Sequence, residues 1–130
     1  CRHNVDCWKC KEYIGVGVGA SSYFNGSRYS NVQNIDGYIK AINSKYSAVY
    51  GLESISKVES MKEYMMLGLR LISGVNEREF FEKYNMNLFD VFQKEIEKLI
   101  NNGLVEYMDN SVRLTKQGLD LANLAFMEFV

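Results

Sequence analysis

Residues 13–23 read Tyr-Ile-Gly-Val-Gly-Val-Gly-Ala-Ser-Ser-Tyr, and the fold is expected to be organised around this segment. Residues 13–18 combine β-branched and aromatic side chains with glycine at every second place, a pattern that predicts a short strand. Glycine weakens a strand by about 0.5–1 kcal/mol relative to alanine. Three glycines within residues 15–19 therefore indicate a close approach by another backbone or a ligand. We expect free N–H groups and two serine hydroxyls at residues 19–22, because ligands of α/β proteins bind at that end of a strand.

A dinucleotide-binding fingerprint is one alternative, because Gly15-x-Gly17-x-x-Ala20 fits the spacing G-x-G-x-x-G/A. That fingerprint must open a helix, whereas residues 21–31 are rich in turn-forming residues. Asp36 has the offset of a ribose-binding acid, but it precedes a helix-like run instead of ending a strand. The pattern therefore disfavours a nucleotide site. A glycine-lined strand end that faces another ligand and plain close packing both remain open.

Length and charge indicate one domain, or one and a piece, with no preference for polyanions. The 130 residues suffice to bury a core, and the formal net charge is −1. Residues 1–55 carry six Lys/Arg and four Asp/Glu, whereas residues 56–130 carry nine and twelve. This balance argues against a general attraction to nucleic acid or to an anionic membrane. No apolar run approaches the roughly 18–20 residues of a membrane span, and no signal peptide is visible.

The soft metal ligands of the chain all lie in its first ten residues. They are Cys1, His3, Cys7 and Cys10. His3-x3-Cys7-x2-Cys10 has the spacing of an iron–sulfur loop with histidine in the first place, and Cys7-x-x-Cys10 with His3 or Cys1 is a conceivable zinc set. A structural zinc site usually needs two spaced pairs, so we expect no metal held by these residues alone. We expect a strand or loop with incidental thiols at residues 1–11, with His3 either a structural residue or a ligand.

The cysteine count also bears on location. Three cysteines within ten residues do not suit a disulfide framework, and they favour a reducing, cytoplasmic location. The chain begins at Cys1, without methionine and already inside a motif, which indicates a piece of a longer protein.

The first part of the chain, residues 1–52, carries weak local signals. Asn25-Gly26 predicts a tight turn, and Asp36 predicts the cap of a helix. Residues 46–52 are expected to form an extended linker. The second domain is then expected at residues 53–130.

The second part carries stronger signals. Ser56-x-x-Glu59 and Asn76-x-x-Glu79 are capping boxes, and Asn87 and Thr115 are expected to cap two further helices. Asp109-Asn110 lies between two β-prone runs and predicts a hairpin.

The helix that starts after Ser56 is expected to stop at Gly74. The side chains expected to be buried on the helices of this part are Val58, Met61, Met65, Leu69, Ile72, Phe80, Phe81, Val91, Phe92, Ile96, Leu99, Ile100, Leu119, Ala122, Phe126 and Phe129.

Three helices, a hairpin and a helix follow the order of a winged-helix domain, which raises the question of DNA binding. Residues 76–117 hold eight acidic and six basic residues. A DNA-binding domain needs an excess of Lys and Arg, so we expect no nucleic-acid partner. We expect these residues instead to pack against a larger partner domain.

Several short motifs together carry a family resemblance. They are Arg2-His3-Asn4-x-x-x-Trp8, Tyr13-Ile14-Gly15-x-Gly17-x-Gly19-Ala20-x-Ser22-Tyr23, Arg28-x-x-Asn31, Glu63-x-x-x-Leu67-Gly68-Leu69-Arg70 with Gly74, and Arg113-Leu114-Thr115-x-x-Gly118. The chain resembles the C-terminal third of the oxygen-independent coproporphyrinogen III oxidase family, and within it the heme-chaperone-like branch.

The resemblance implies an α+β, mostly helical fold, made of the terminal strand–loop piece of a partial (β/α) barrel and a winged-helix-like C-terminal domain. It implies a radical S-adenosylmethionine parent, whose [4Fe–4S] cluster is held on a Cys-x3-Cys-x2-Cys loop outside this chain. The chain alone is therefore expected to be non-catalytic and to hold no cofactor by itself. The implied partners are the missing N-terminal barrel and a porphyrin- or heme-type molecule.

The resemblance also implies roles for particular residues. Those expected near S-adenosylmethionine are Gly17, Gly19, Ala20, Ser21 and Ser22. His3 is expected at heme and Arg28 at a propionate. The branch's H-N-x-x-Y-W signature matches residues 3–8 except that Cys7 replaces tyrosine, and most relatives carry histidine where this chain has Ser21.

The function expected from the resemblance is to supply part of the wall that lines the cofactor- and substrate-binding site of a coproporphyrinogen III oxidase-like protein of heme biosynthesis. The alternative is a non-catalytic heme chaperone or protein-interaction module.

Overall fold

A computed structural model describes all 130 residues and shows an α+β fold in which helices hold about half of the chain. The helices are α1 Arg2–Trp8, α2 Ile35–Lys45, α3 Lys57–Gly68, α4 Glu77–Tyr84, α5 Leu88–Asn101, α6 Lys116–Asp120 and α7 Ala122–Met127. The strands are β1 Ser21–Phe24, β2 Ser27–Asn31, β3 Val49–Ser54, β4 Val75–Asn76, β5 Val105–Met108 and β6 Ser111–Leu114. No helix combines the length and the apolar character needed to cross a membrane.

The chain divides into two compact units. The small unit is Lys11–Ser60, and the large unit is Cys1–Cys10 together with Met61–Val130. Each unit contains one three-stranded antiparallel sheet, with the order β1-β2-β3 in the small unit and β4-β6-β5 in the large unit. The division into domains 1–52 and 53–130 stays a prediction.

The small unit is built on a hairpin of β1 and β2. The predicted tight turn at Asn25-Gly26 is confirmed, with φ angles of 50° and 68° that suit a two-residue hairpin loop. Ser21–Phe24 and Ser27–Asn31 pair on either side of that turn, so the turn-rich stretch at residues 21–31 is a β-hairpin and does not open a helix. The predicted cap of α2 at Asp36 is also wrong. Asn34 is the cap, and its side chain accepts from the Gly37 N–H at 2.6 Å.

The predicted glycine strand at residues 13–18 is not formed. A single bridge joins Tyr13 to Tyr23, and the following residues do not continue the pairing. Positive φ angles at Gly17 (109°) and Gly19 (66°) turn the chain away from an extended path. The inference of a close approach does hold at Gly15, where an added Cβ would overlap the carbonyl of Ser21.

The predicted linker at residues 46–52 overlaps a strand. Tyr46 ends α2 in the left-handed conformation, and β3 pairs antiparallel with β2 over Val49–Ser54. All six residues of β3 are exposed, so the strand lacks the alternation of buried and exposed residues by which a half-buried strand is recognised.

The large unit encloses the hydrophobic core. Its fully buried side chains come from α3 and the residue that follows it, from α4, α5 and the sheet. The largest are Phe80, Met65, Leu69, Leu88, Ile96, Leu99, Val75, Val105 and Val112. The N-terminal segment belongs to this unit, and the expectation of a strand or loop there is wrong, because residues 2–8 form α1.

Most predicted caps and turns of the large unit are confirmed. Asn76 accepts from the N–H groups of Arg78 and Glu79, and Thr115 accepts from that of Gly118 at 2.9 Å. Asn87 occupies the cap position of α5, but its side chain donates to Asp90 instead of capping the backbone. The hairpin turn at Asp109-Asn110 has the expected positive φ angles, 52° and 58°. Ahead of α3, both hydrogen bonds of the Ser56–Glu59 capping box form.

Several positions predicted to be buried are exposed. They are Val58, Ile72, Phe81, Ile100 and Leu119. Helix α3 ends at Gly68, before the predicted stop at Gly74. Gly74 has a φ of 69°, and an added Cβ there would overlap the carbonyl of Val112, so this glycine serves a turn against β6. The last predicted helix is divided into α6 and α7 at Leu121.

We expect the stability of the large unit to fall at high pH because of Tyr64. Burial, assisted by the negative charge of Glu79, raises the pKa of Tyr64 to about 12. The unfolded chain, with an ordinary tyrosine pKa of about 10, releases this proton first as the pH rises. Neutral Tyr64 therefore stabilises the fold fully below about pH 10, and this stabilisation is lost between about pH 10 and 12, by roughly 1–2 kcal/mol.

Urea unfolding between pH 8 and 11.5 measures this loss. Tyr64→Phe should show a shallower decline in unfolding free energy than the native chain, whereas the exposed Tyr46→Phe should follow the native chain. Equal slopes in Tyr64→Phe and the native chain would contradict the assignment.

Candidate functional site

The glycine segment of the small unit is held by two buried polar side chains. Asn31 donates its amide to the carbonyl of Gly17 at 2.8 Å and to that of Gly15 at 3.4 Å. Ser22, whose side chain is buried, accepts from the Gly15 N–H at 2.9 Å. These hydrogen bonds hold the loop, which contains neither helix nor strand, in one defined conformation.

A pocket of about 390 Å³ lies on the sheet of this unit, beside the loop. Its lining residues are Tyr13, Ser21, Ser22, Arg28, Tyr29, Ser30, Gly51 and Glu53. They come from β1, β2 and β3 together with the bridge residue Tyr13. The pocket therefore depends on the pairing of the β1–β2 hairpin with β3, which follows about 20 residues later in the chain.

The pocket carries one cation and one anion. Arg28 and Glu53 are directly opposed in the β2–β3 ladder. The Arg28 guanidinium lies 6.0 Å from the ring centroid of Tyr23, and the hydroxyls of Ser21 and Ser30 are 3.3 Å apart. A guanidinium beside hydroxyl groups can bind a carboxylate or another oxygen-rich group, and Glu53 reduces its attraction for anions.

The predicted site residues of this unit are only partly brought together. Ser21, Ser22 and Arg28 line the pocket, whereas Gly17, Gly19 and Ala20 do not.

The expectation of free N–H groups is wrong. The Gly19 N–H donates to Val32 at 3.0 Å, and the Ala20 N–H is 3.4 Å from the Gly17 carbonyl oxygen. These groups satisfy the loop itself.

Four polar lining residues are not among the predicted site residues, namely Tyr13, Tyr29, Ser30 and Glu53. The prediction of a linker at residues 46–52 leaves β3 unrecognised, and Glu53 belongs to that strand. The run Val49-Tyr50, with its high β propensity, is the signal that could have identified the strand.

His3 lies in the large unit, on the exposed side of α1. Its Nε2 atom is 3.8 Å from the Cys7 sulfur, because residues four apart share one face of a helix. Cys10 is buried in the core of this unit, and none of the three cysteines is in a disulfide.

No group of three or more His, Cys, Asp or Glu side chains could hold a metal ion. The thiols therefore do not fit a [4Fe–4S] cluster, which needs several thiolates on one loop. An imidazole and a thiol on one exposed face do fit the chemistry of axial ligands to heme iron.

The chain is similar in sequence to one protein family and to curated proteins of two bacteria. The family model described as the HemN C-terminal domain matches residues 55–121. The chain is 34% identical to the heme chaperone HemW of Bacillus subtilis and 33% identical to that of Lactococcus lactis, each over 129 residues and 99% of this chain. It spans about a third of the length of these curated relatives, 34% in each case.

One solved structure, the coproporphyrinogen III oxidase HemN of Escherichia coli, a radical SAM enzyme, shares the fold. The TM-score is 0.68 at 17% identity, over 92% of this chain and 28% of that chain.

We expect Asn31 to be essential to the glycine loop. Asn31→Asp keeps the shape but replaces the donating amide with an acceptor that faces two carbonyl groups. We expect a loss of about 1–3 kcal/mol in unfolding free energy, measured with urea at pH 7. The exposed Asn43→Ala should stay within about 0.5 kcal/mol of the native chain. A similarly small effect for Asn31→Asp would mean that the amide does not hold the loop.

Proposed function

Because this chain belongs to the HemN C-terminal domain family, we propose that it is the heme-handling C-terminal part of a longer radical S-adenosylmethionine protein, with His3 as its contact to heme iron. The observation that carries this proposal is the pairing of the exposed His3 with the half-buried Cys7 on one face of α1, with His3 Nε2 and Cys7 Sγ 3.8 Å apart. The chain's 34% identity to relatives named as heme chaperones supports it. Heme, when bound, supplies an iron that accepts nitrogen or sulfur ligands.

The two side chains have different roles in this proposal. Neutral imidazole is a common axial ligand, and His3 is the only imidazole in the chain. The Cys7 thiol stands where the related signature has tyrosine, and it is a competing ligand from the same face.

The pocket of the small unit supports a second candidate, part of the substrate wall of a coproporphyrinogen III oxidase-like enzyme. The specific observation is the gathering of Ser21, Ser22 and Arg28 in one pocket. Arg28 would bind a propionate as a fork, and the serines would supply hydroxyls. In the intact parent, Gly17, Gly19 and Ala20 would shape this wall near S-adenosylmethionine, with the [4Fe–4S] cluster outside this chain.

We further propose that the rest of the parent, including its partial (β/α) barrel, covers the apolar surface of the small unit. Val49, Tyr50 and Leu52 on β3 are each more than half exposed, as are Ile35 and Ile39 on α2. Exposed apolar residues in this density are typical of an interface. The chain's share of its relatives' length, about a third, leaves room for such a partner.

For residues 53–130 we propose a winged-helix-like domain that packs on this partner in the cytoplasm without binding nucleic acid. The β5–β6 hairpin follows helices α3, α4 and α5, and β4, which lies between α3 and α4, pairs with β6; this order supports the topology.

A heme titration followed by the Soret band tests the role of His3. We expect His3→Ala to weaken the spectral change about tenfold or more, and Cys7→Ser and the neighbouring Asn4→Ala to retain it. Loss in Cys7→Ser alone would move the ligand to the thiolate. Identical weak spectra in all variants would mean non-specific adsorption and would overturn the proposal.

A comparison of protoporphyrin with its dimethyl ester tests the pocket. Arg28→Ala should weaken binding of the diacid about tenfold and leave the ester unaffected, because only the diacid offers carboxylates. Glu53→Gln should strengthen binding of the diacid, since it removes the opposing charge. Equal effects on both porphyrins in Arg28→Ala would show that Arg28 acts on the fold and not on a propionate.

A further inference from the structure

Helix α1, which carries His3 and Cys7, lacks the features that stabilise a helix on its own. It has seven residues, none of them buried, no side-chain cap at its N-terminus and no acidic residue in its first turn. An isolated helix of this length is not stable in water. Its position must therefore depend on the half-buried side chains of residues 5–8 and on contacts made where the helix ends.

The contact that ends α1 is centred on Cys10. This residue is 8% exposed, is part of the core of the large unit and has a φ of 49°. Its N–H donates to the carbonyl of Cys7 at 3.0 Å, which closes the end of the helix. Its own carbonyl accepts from Lys83 Nζ at 3.2 Å.

Lys83 is unusually well placed for this bond. Its ammonium nitrogen lies 5.9 Å from the ring centroid of Tyr64 and 5.8 Å from that of Tyr84, both buried. Two aromatic rings and one carbonyl thus surround the ammonium of Lys83, although the residue as a whole is exposed, and cation–π contacts at exposed sites contribute about 0.5–1 kcal/mol.

A second link is weaker. Lys9 Nζ lies 3.4 Å from Glu79 Oε1, with both side chains more than a third exposed. Exposed ion pairs contribute little to stability, whereas Lys83 contacts three groups at the end of α1, namely one carbonyl and two aromatic rings.

We propose that Lys83 is a positioning residue, which fixes helix α1 on the large unit and thereby presents the His3–Cys7 face. The importance of that face for heme rests on the proposed function, whereas the anchoring of the helix does not. Lys83 on α4, about 80 positions after His3 in the chain, then affects how tightly a ligand binds at His3.

Hydrogen–deuterium exchange of the native chain, Lys83→Met, Lys83→Arg and Arg78→Met tests the anchoring. Arg78 lies on the same helix, with a side chain 86% exposed and paired only locally with Glu82, so Arg78→Met is the matched control. We expect amide exchange at residues 5–10 to be about tenfold faster in Lys83→Met, with α5 unchanged. Lys83→Arg keeps the cation and should restore most of the protection, and Arg78→Met should match the native chain.

Unchanged exchange of α1 in Lys83→Met would overturn the proposal, and so would an increase shared with Arg78→Met or spread equally over α5. The Soret titration separates this outcome from failure of the heme proposal. If His3→Ala already binds heme like the native chain, the proposed function fails and exchange alone decides the role of Lys83. If His3→Ala loses binding, Lys83→Met should bind several-fold more weakly, and Lys83→Arg should recover.

Discussion

The large unit depends on the packing of Phe80. This side chain is fully buried, and its ring contacts those of Tyr64, Tyr84 and Phe92 at centroid distances of 5.9, 4.9 and 6.2 Å. Edge-to-face and tilted rings of this kind add to the hydrophobic gain from burial, and here they join α3, α4 and α5. The same tyrosine rings face the ammonium of Lys83, so the polar anchor of α1 is built on the apolar core.

In the small unit, the limiting constraint is polar. A loop with three glycines exposes many carbonyl and N–H groups, and a buried group without a partner is costly. Asn31, Ser22 and backbone partners such as Val32 satisfy these groups internally. Contacts with a ligand must consequently come from side chains on the neighbouring strands, which form the pocket around Arg28 and Glu53.

The two candidate ligand surfaces thus arise from different physical sources. The helix face with His3 and Cys7 follows from the 3.6-residue period, which brings residues four apart together. The pocket requires three strands in register, and its mixture of a guanidinium, a carboxylate and hydroxyls favours polar recognition over burial of an apolar ligand. Because the chain spans about a third of its curated relatives, both surfaces are parts of a larger protein in the function proposed for them.

The sequence by itself determined the features that depend on near neighbours: the caps at Asn76 and Thr115, the turns at Asn25-Gly26 and Asp109-Asn110, and the family. It also indicated a close approach in the glycine segment, and it selected Ser21, Ser22 and Arg28, which the structure places in one pocket. Only the tertiary structure decided that β3 exists, that Glu53 opposes Arg28 and that residues 2–8 form a helix fixed on the large unit. Strand pairing and burial depend on partners many residues away, and no local period or propensity encodes which partner a segment will meet.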